Sequence, residues 1–412
     1  MNFGDGALHL GGAAVSQRQV YFQYAKSFLD TGLNPSPLKL PLDGEVRPGE
    51  ADLEGLPGLL HDSLPDGWSR LVLDRHIRTR GYDPASLGVL DRLGLVGRHG
   101  AGALVYQSAI DMPVEAPAVD FDTAAALITR APWEEDADRV QAALTLTRSL
   151  GGARPKAYVY LSNGAFSTKE DPNARAWIVK FPAAEDGPEA GAVEYAYSLM
   201  AREAGIIMPE TRLLQSRDTG GFFAVERFDR LAGGGRLHVH SLGGLLNAPI
   251  LNAVTYTHLM MVTGSLSKRF GTDVANIEQQ IHRMAFNVLA RNRDDHVKNH
   301  AFLMDVQGRW ACAPAYDLTF SNLSEHALLV GGQGRSPGMK DMLEVARAVR
   351  IPDERTLQIV ARVREAVGSW LRFSKEAGVS QARAKEIDGT LNARGTAQMQ
   401  AAIFLGSPEN HR

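Results

Sequence analysis

This chain of 412 residues has a single cysteine, no long apolar run and little excess of charge of one sign. The single cysteine, Cys312, cannot form an intramolecular disulfide. The amino terminus MNFGDGALHLGG lacks the basic and then apolar order of a secretion signal. No apolar run approaches the roughly 20 residues that a membrane helix requires. We therefore expect a cytoplasmic protein with no membrane partner.

The charge balance argues against a second class of partner. Lys and Arg number 44 and Asp and Glu number 47, so the formal net charge is -3. No overall field draws the molecule onto nucleic acid or an anionic membrane, which leaves only a local basic patch as a means of binding them. The apolar fraction of 44% and the charged fraction of 22% are those of an ordinary globular protein, and the length allows two or three lobes.

The first part of the chain predicts a small α/β unit over residues 1–110. It is rich in Gly, Pro and Leu, and stretches such as VYFQY (20–24) read as strands between turns. DGWSRLVLDRHI (66–77) has a helical pattern with Trp68, Leu71, Val72 and Ile77 on one approximate face. The stretch DMPVEAPAVDFD (111–122) is rich in Pro and acid and predicts a boundary.

Two further units are predicted beyond that boundary. Residues 111–228 alternate strands and turns around one helix at 189–205, and residues 229–412 are mostly helical. Helices are predicted over 276–292 and 355–373, and a hairpin over 301–318 about the turn Val306-Gln307-Gly308. The predicted fold class is α+β. A β-rich lobe with one helix, followed by a helical lobe with one hairpin, is typical of protein kinases.

The stretch RDDHVKN (293–299) carries the strongest chemical signal in the helical unit. Asp294 precedes Asn299 by five positions, which is the separation of the catalytic Asp and the metal-binding Asn in protein kinases. Lys298 lies between them and could reach a transferring phosphate. Taken alone, the stretch is more simply a solvated, charged turn after a helix.

A second carboxylate follows the predicted hairpin. Asp317, in APAYDL (313–318), is placed to hold Mg²⁺ together with Asn299. Tyr316-Asp317-Leu318 takes the place of the usual Asp-Phe-Gly of kinases and contains no glycine. Taken alone, Asp317 is as readily a helix cap or a turn acid.

The β-rich unit supplies the matching parts for a phosphate site. SLGGARPK (149–156) is a glycine turn that could present backbone N–H groups to phosphates, although a plain hairpin turn is the simpler interpretation. Lys180 lies among apolar residues in WIVKFP and needs a partner, which kinase chemistry assigns to an ATP phosphate and to Glu194. The alternative is a lysine on a solvated strand face. Residues 226–228 lie where a hinge strand would present backbone groups to adenine. A structural salt bridge explains Glu226 and Arg227 equally simply.

Six short motifs, in this order, resemble the HipA family of bacterial serine/threonine kinases, the toxins of toxin-antitoxin pairs. They are LPDGWSRLVLDR (64–75), SLGGARPK (149–156), IVKFP (178–182), AVERFDR (224–230), RDDHVKN (293–299) and APAYDL (313–318). The resemblance spans nearly the whole chain. It implies an N-terminal subdomain on a two-lobed, kinase-like core that uses ATP and Mg²⁺.

The resemblance also implies a role for particular residues. Asp294 matches the catalytic aspartate, with Lys298 beside it, and Asn299 and Asp317 match the metal ligands. The residues that match the nucleotide site are Gly151, Gly152, Ala153, Arg154, Pro155, Lys156, Lys180, Glu226, Arg227, Phe228, His296, Val297, Lys298, Asn299, Tyr316 and Asp317.

Regulation and partners are implied by the same resemblance. Ser149 matches a serine that the family autophosphorylates, which ejects the glycine loop and switches the kinase off. A dianion added there would repel ATP phosphates, so the switch is physically reasonable. The implied partners are a HipB-like helix-turn-helix antitoxin, DNA through that antitoxin, and a protein substrate such as an aminoacyl-tRNA synthetase.

Two alternatives come from other functional classes. A metalloprotein is suggested by His296 and His300, which are four apart, and by His238 and His240, which alternate along a strand. The zinc hydrolase helix needs Glu beside its first histidine, and Val297 stands there instead. The other alternative is a catalytically silent nucleotide-binding corepressor that acts with a DNA-binding antitoxin.

Overall fold

The structure is a computed structural model of the whole chain. It describes residues 1–4, 6, 8–17, 19–107, 116–148, 151–171, 173–250, 253–268 and 272–392. Ser149 and the first half of the predicted boundary at 111–122 lie outside the described residues.

The N-terminal part of the chain builds two small antiparallel sheets and four helices. Its elements are β1 (Asn2–Phe3), β2 (Leu8–His9), β3 (Gly11–Ser16), β4 (Gln19–Tyr24), α1 (Lys26–Leu29), β5 (Arg47–Pro48), α2 (Gly58–His61), α3 (Gly67–Thr79), α4 (Val89–Val96) and β6 (Leu104–Val105). The sheets have the orders β3-β4-β5 and β2-β1-β6. The predicted strand at 20–24 is confirmed, because Val20, Phe22 and Tyr24 alternate into the core.

The predicted helix at 66–77 is also confirmed, as α3, but its buried face differs from the predicted one. Leu71 is exposed, and Leu73 packs in the core beside Val72 and Ile77. The core-facing side of the helix is therefore turned by about one residue.

The middle of the chain forms a five-stranded antiparallel sheet and three helices. Its elements are α5 (Phe121–Arg130), α6 (Ala137–Thr147), β7 (Lys156–Ser162), β8 (Ala165–Ser167), β9 (Arg175–Lys180), α7 (Ala190–Glu203), β10 (Thr211–Leu214) and β11 (Phe222–Glu226). The strand order is β10-β11-β9-β7-β8. The predicted helix at 189–205 is confirmed as α7. The sequence interpretation missed α5 and α6, whose starts are capped by the carboxylates of Asp120 and Asp136.

The two faces of this sheet have different roles. Ala157 and Val159 of β7 point toward α5 and α6 in a shared apolar core. Alternate residues of β7 therefore point to the opposite face, and these include Lys156 and Tyr158. Lys156 lies directly across from Lys180 of β9 in the antiparallel register. The sheet thus presents two lysines on the face that is turned away from those helices.

The last part of the chain is mostly helical, as predicted. Its elements are β12 (His238–Ser241), α8 (Leu242–Leu246), α9 (Tyr256–Ser267), α10 (Asp273–Leu289), β13 (Ala301–Met304), β14 (Trp310–Cys312), α11 (Met339–Ala348), α12 (Asp353–Gly368) and α13 (Trp370–Glu376), and residues 381–392 are helical as well. The predicted hairpin is confirmed as β13 and β14, with Gly308 at φ 77° in its turn and β12 added as a third strand. The helix predicted over 355–373 is two helices, because the backbone leaves helical geometry at Ser369 (φ -90°, ψ 14°).

A large apolar core joins the N-terminal sheets, α7 and the C-terminal helices, and a second core lies between the five-stranded sheet and α3, α5 and α6. The stripe predicted on α10 is confirmed, because Ile277, Ile281, Met284 and Val288 are all buried. None of the helices in the described part of the chain combines the length and apolar character that crossing a membrane requires.

Candidate active site

The candidate site lies where four segments meet. The glycine loop (residues 151–156) enters β7, Lys180 ends β9, the Asp loop (residues 293–299) follows α10, and Asp317 follows β14. The glycine loop and Lys180 belong to the five-stranded sheet, whereas the Asp loop and Asp317 belong to the mostly helical part of the chain. Side chains that are distant in sequence therefore come into contact here.

Lys180 is the centre of the charged contacts. Its Nζ donates to Glu194 Oε1 at 2.5 Å and also to Asp317 Oδ1. Burial would favour a neutral Asp317, but the charges of Lys180 and Lys156 outweigh it and lower the pKa of Asp317 to about 2. The partner predicted for Lys180, Glu194, is in contact with it. The alternative of a lysine on a solvated face is therefore excluded.

Lys156 adds a second positive charge beside the first. Its Nζ donates to Gly151 O, which closes the base of the glycine loop. Burial lowers the pKa of Lys156, and the nearby charge of Asp317 opposes that shift. The two ammonium groups repel each other across neighbouring strands, and the carboxylates of Glu194 and Asp317 beside Lys180 offset that repulsion.

The Asp loop is held in shape by Asn299. Its Nδ2 donates to the backbone O of Asp294 at 2.6 Å, which ties the two ends of the loop together. This contact uses one N–H of the amide group and leaves the amide oxygen as the atom that could bind a metal. The side chain of Asp294 remains 48% exposed, and its Oδ1 lies 3.8 Å from His296 Nε2.

Tyr316 contacts both the Asp loop and Phe228, which follows β11. Its hydroxyl donates to Lys298 O at 2.6 Å, and its ring lies 5.8 Å from the ring of Phe228 between centroids. The side chain of Val297 is buried beneath the loop, so only its backbone can face a ligand. Asp317 has φ 53°, which turns the chain sharply after Tyr316.

Comparison with known proteins decides the family. A model described as the HipA-like C-terminal domain matches residues 148–371, and a model described as the HipA N-terminal domain matches residues 6–107. This chain belongs to the HipA family.

Curated relatives of this HipA-family chain come from Sinorhizobium fredii. A protein named "Putative kinase Y4mE" is 28% identical over 384 residues, which cover 87% of this chain and 80% of that protein. A second, named "Putative kinase Y4dM", is 26% identical over 208 residues, which cover 46% of this chain. The chain spans about half the length of this second relative, since the match covers 49% of it.

A solved structure supports the same fold. The Shewanella oneidensis MR-1 toxin-antitoxin complex of HipA, HipB and operator DNA contains a chain that matches with a TM-score of 0.67 at 18% identity, and the match covers 95% of each chain. The predicted α+β fold, with a two-lobed kinase-like core and an N-terminal subdomain, is confirmed.

In this HipA-family member Glu226 ends β11, and the side chains of Glu226 and Arg227 are both engaged in ion pairs. Glu226 accepts two hydrogen bonds from Arg175 at 2.5 to 2.6 Å. Arg227 is buried, binds Asp229 through Nε at 2.8 Å and Nη2 at 2.6 Å, and lies 4.6 Å from the ring centroid of Tyr158. Structural salt bridges, the alternative raised from the sequence, therefore describe both side chains.

The arginine of the glycine loop is also engaged. Arg154 donates to both carboxylate oxygens of Asp186 at 2.6 to 3.1 Å. Gly152 has φ 100°, a conformation that L side chains rarely adopt, so glycine is required there. Pro155 continues the sheet through its carbonyl, which accepts from Phe181 N at 2.9 Å.

Asp66 is the site residue that the sequence interpretation missed. Its Oδ2 accepts from Lys298 Nζ at 2.8 Å, and its Oδ1 accepts from the backbone N–H of Gly152 at 2.5 Å. The motif LPDGW was part of the family resemblance but was given no role. An Asp-Gly pair directly before a helix was the available signal, and it was indistinguishable from an ordinary helix start.

The Asp loop also has a buried side. Asp295 accepts from Tyr256 Oη at 2.7 Å, His326 Nδ1 at 2.9 Å and Ala327 N at 2.8 Å, with its side chain fully buried. Arg293 donates to the carbonyls of Leu323, Ser324 and Arg335. These contacts fasten the segment after Asp317 to the loop.

Two of the four histidines of the metalloprotein alternative, His238 and His240, have other partners. His238 Nε2 lies 2.8 Å from Pro35 O, and His240 contacts Asp62 at 2.6 Å and Ser36 at 3.0 Å. Within the described ranges, no group of three His, Cys, Asp or Glu residues is placed to hold a metal ion.

Proposed function

We propose that this HipA-family chain is a Mg-ATP-dependent serine/threonine protein kinase. The observation that carries the proposal is the contact of Lys180 with Glu194 and Asp317, close to an Asp loop that Asn299 holds closed. This combination of a strand lysine, a helix glutamate and a second acidic residue is the set that phosphoryl transfer uses.

The residues present fit both halves of Mg-ATP. The paired lysines and the glycine loop suit phosphate oxygens, and the ring of Phe228 suits the base. The oxygens of Asp317 and Asn299 suit Mg²⁺, which prefers carboxylate and carbonyl oxygen. When bound, the metal would neutralise charge on the phosphates.

The transfer would proceed with Asp294 as the catalytic residue. A serine or threonine hydroxyl of the substrate donates its hydrogen bond to the Asp294 carboxylate, which accepts the proton as the oxygen attacks the γ-phosphorus. The new P–O bond forms as the bond to the β-phosphate oxygen breaks, and ADP leaves. Lys298 would bind the γ-phosphate, and Lys180, oriented by Glu194, would bind the other phosphates.

Regulation and partners are also proposed. We assign Ser149 as the autophosphorylation site that switches the enzyme off, a HipB-like antitoxin as the partner that carries the DNA contact, a protein of translation as the substrate, and the cytoplasm as the location. The likeness to a HipA chain solved with HipB and operator DNA supports the antitoxin partner. Domain boundaries near residues 110 and 228 belong to the same proposal.

The test measures intact mass after incubation with Mg-ATP, followed by peptide mapping. Wild type should gain a phosphate on Ser149, whereas Asp294→Asn and Ser149→Ala should gain none there. Removing a general base typically costs about 100 to 10,000 fold in rate, so the Asp294→Asn variant should show no modified species. Unimpaired phosphorylation of Asp294→Asn would overturn the assignment.

The corepressor alternative predicts a different pattern. It requires nucleotide binding by every variant and phosphate transfer by none, with repression of an operator in the presence of the antitoxin. Mg-ATP binding without modification of any added protein would favour it.

A further inference from the structure

Three consecutive residues at the start of α3 converge on one residue of the glycine loop. Asp66 accepts the N–H of Gly152, and the N–H of Trp68 donates to Gly152 O at 3.1 Å. Between them, Gly67 has φ 48°, and a Cβ there would lie 2.4 Å from Gly152 O. The backbone of this segment therefore approaches the loop more closely than any other residue type would allow.

The side chain of Asp66 does not perform the local role expected of it. Asp is a favoured residue before a helix, where its carboxylate usually accepts a backbone N–H of the first turn. Asp66 stands at that position in α3 but makes no such bond. Its two oxygens bind Gly152 N and Lys298 Nζ instead. One carboxylate from the N-terminal part of the chain thus joins the glycine loop to the Asp loop.

The segment that carries Asp66 is anchored on both sides. The indole N–H of Trp68 donates to Ile128 O of α5 at 3.1 Å. Farther along α3, Val72 and Leu73 pack with α6, the helix that leads into the glycine loop. Because a packed core holds α3, its first residues give Gly152 a fixed point of attachment.

We propose that Asp66 is a positioning residue of the kinase, which holds the Gly152 amide and the Lys298 ammonium in the geometry that receives the ATP phosphates. The inference rests on the proposed kinase function. In this arrangement the N-terminal subdomain is part of the phosphate site, although its residues make no contact with the transferred group. Lys298 has three N–H donors and gives one to Asp66, so others remain for phosphate.

A first experiment reads the contact without nucleotide. Hydrogen exchange of the peptide that contains residues 149–156 is compared among wild type, Asp66→Asn, Asp66→Ala and Gly67→Ala. Asn can keep the bond to Gly152 but loses the charge, Ala loses both contacts, and Gly67→Ala forces the segments apart while keeping the carboxylate. We expect faster exchange in the order Asp66→Ala, Asp66→Asn, wild type, with Gly67→Ala also fast. Asp52→Asn, an exposed position of the same subdomain, is the matched control and should exchange like wild type.

A second experiment measures Mg-ATP binding by calorimetry, with every chain also carrying Asp294→Asn so that ATP is not consumed. Asp66→Asn should raise the Kd about tenfold, the effect of losing one hydrogen bond between charged groups, and Asp66→Ala more. Thermal melting of the two Asp66 variants should stay near that of wild type, which separates positioning from unfolding of α3.

The outcomes distinguish this inference from the proposed function. No Mg-ATP binding by the otherwise wild-type chain would contradict the kinase proposal. Normal binding by that chain, with an unchanged Kd in Asp66→Asn and unchanged loop exchange, would contradict the positioning role alone. Tighter binding in Asp66→Asn would also overturn it, because the carboxylate would then occupy the place of a phosphate and compete with ATP.

Discussion

The cleft side and the buried side of the Asp loop carry adjacent carboxylates in opposite surroundings. Asp294 is 48% exposed and has one weak polar neighbour, whereas Asp295 is fully buried with three donors around it. A carboxylate that must accept a proton from a substrate has to be reachable, and one that fastens a loop has to be satisfied. In the proposed mechanism Asp294 accepts the proton of the substrate, whereas Asp295 holds the loop in place.

The largest expected effect comes from removing each of the two carboxylates in turn. Asp295→Ala leaves the donors of Tyr256, His326 and Ala327 without their acceptor in a buried place, so the free energy of unfolding should fall by about 3 to 5 kcal/mol. Asp294→Ala, the matched control on the exposed side, should change it by less than about 0.5 kcal/mol. Urea denaturation measures both.

Phosphate transfer should show the reverse pattern. At a temperature where both variants are folded, Asp295→Ala should keep part of its activity and Asp294→Ala none. Equal loss of stability in the two variants would contradict the distinction, because it would mean that the Asp294 carboxylate stabilises the fold as much as the Asp295 carboxylate does.

The spacing of residues in the sequence was enough to select the candidate catalytic residues, but it did not reveal which side chains surround them. Spacing selected Asp294 over Asp295, because only the first lies five residues before Asn299. Nothing local marked the partners of Asp295, since Tyr256 and His326 are 39 and 31 residues away. The lobes were predictable from periodicity, but α5 and α6 follow the Pro- and acid-rich stretch 111–122, in a part of the chain for which no helix was predicted. Asp66 was missed for the same reason as Tyr256, because contact across 232 residues leaves no local pattern.

A smaller effect, dependent on pH, tests the buried side again. Burial lowers the pKa of His300 from 6.5 to about 4. Between these values the unfolded chain binds a proton that the folded chain does not, so stability falls as the pH is lowered from 6.5 toward 4. This residue alone should contribute a loss of up to about 1.4 kcal/mol per pH unit.

His300→Gln removes the titrating group and should make the pH profile of the free energy of unfolding shallower by that amount. The readout is the slope, so a constant loss of stability from the substitution does not disturb it. An identical slope in wild type and variant would mean that His300 already carries a proton in the folded chain.

The smallest expected effect concerns Glu226, whose carboxylate binds Arg175. Glu226→Gln should weaken a partly exposed ion pair and cost less than about 1 kcal/mol of stability. Its Kd for Mg-ATP should stay within about twofold of wild type, because a nucleotide would meet the backbone here and not the carboxylate. Phe228→Ala is the informative counterpart, since its ring lies against Tyr316 and losing one aromatic contact to a base should raise the Kd about tenfold. Calorimetry with the Asp294→Asn background compares the two. If Glu226→Gln weakens binding as much as Phe228→Ala does, the carboxylate must leave Arg175 when nucleotide arrives, and the edge of the cleft would be an adaptable surface that reorganises around its ligand.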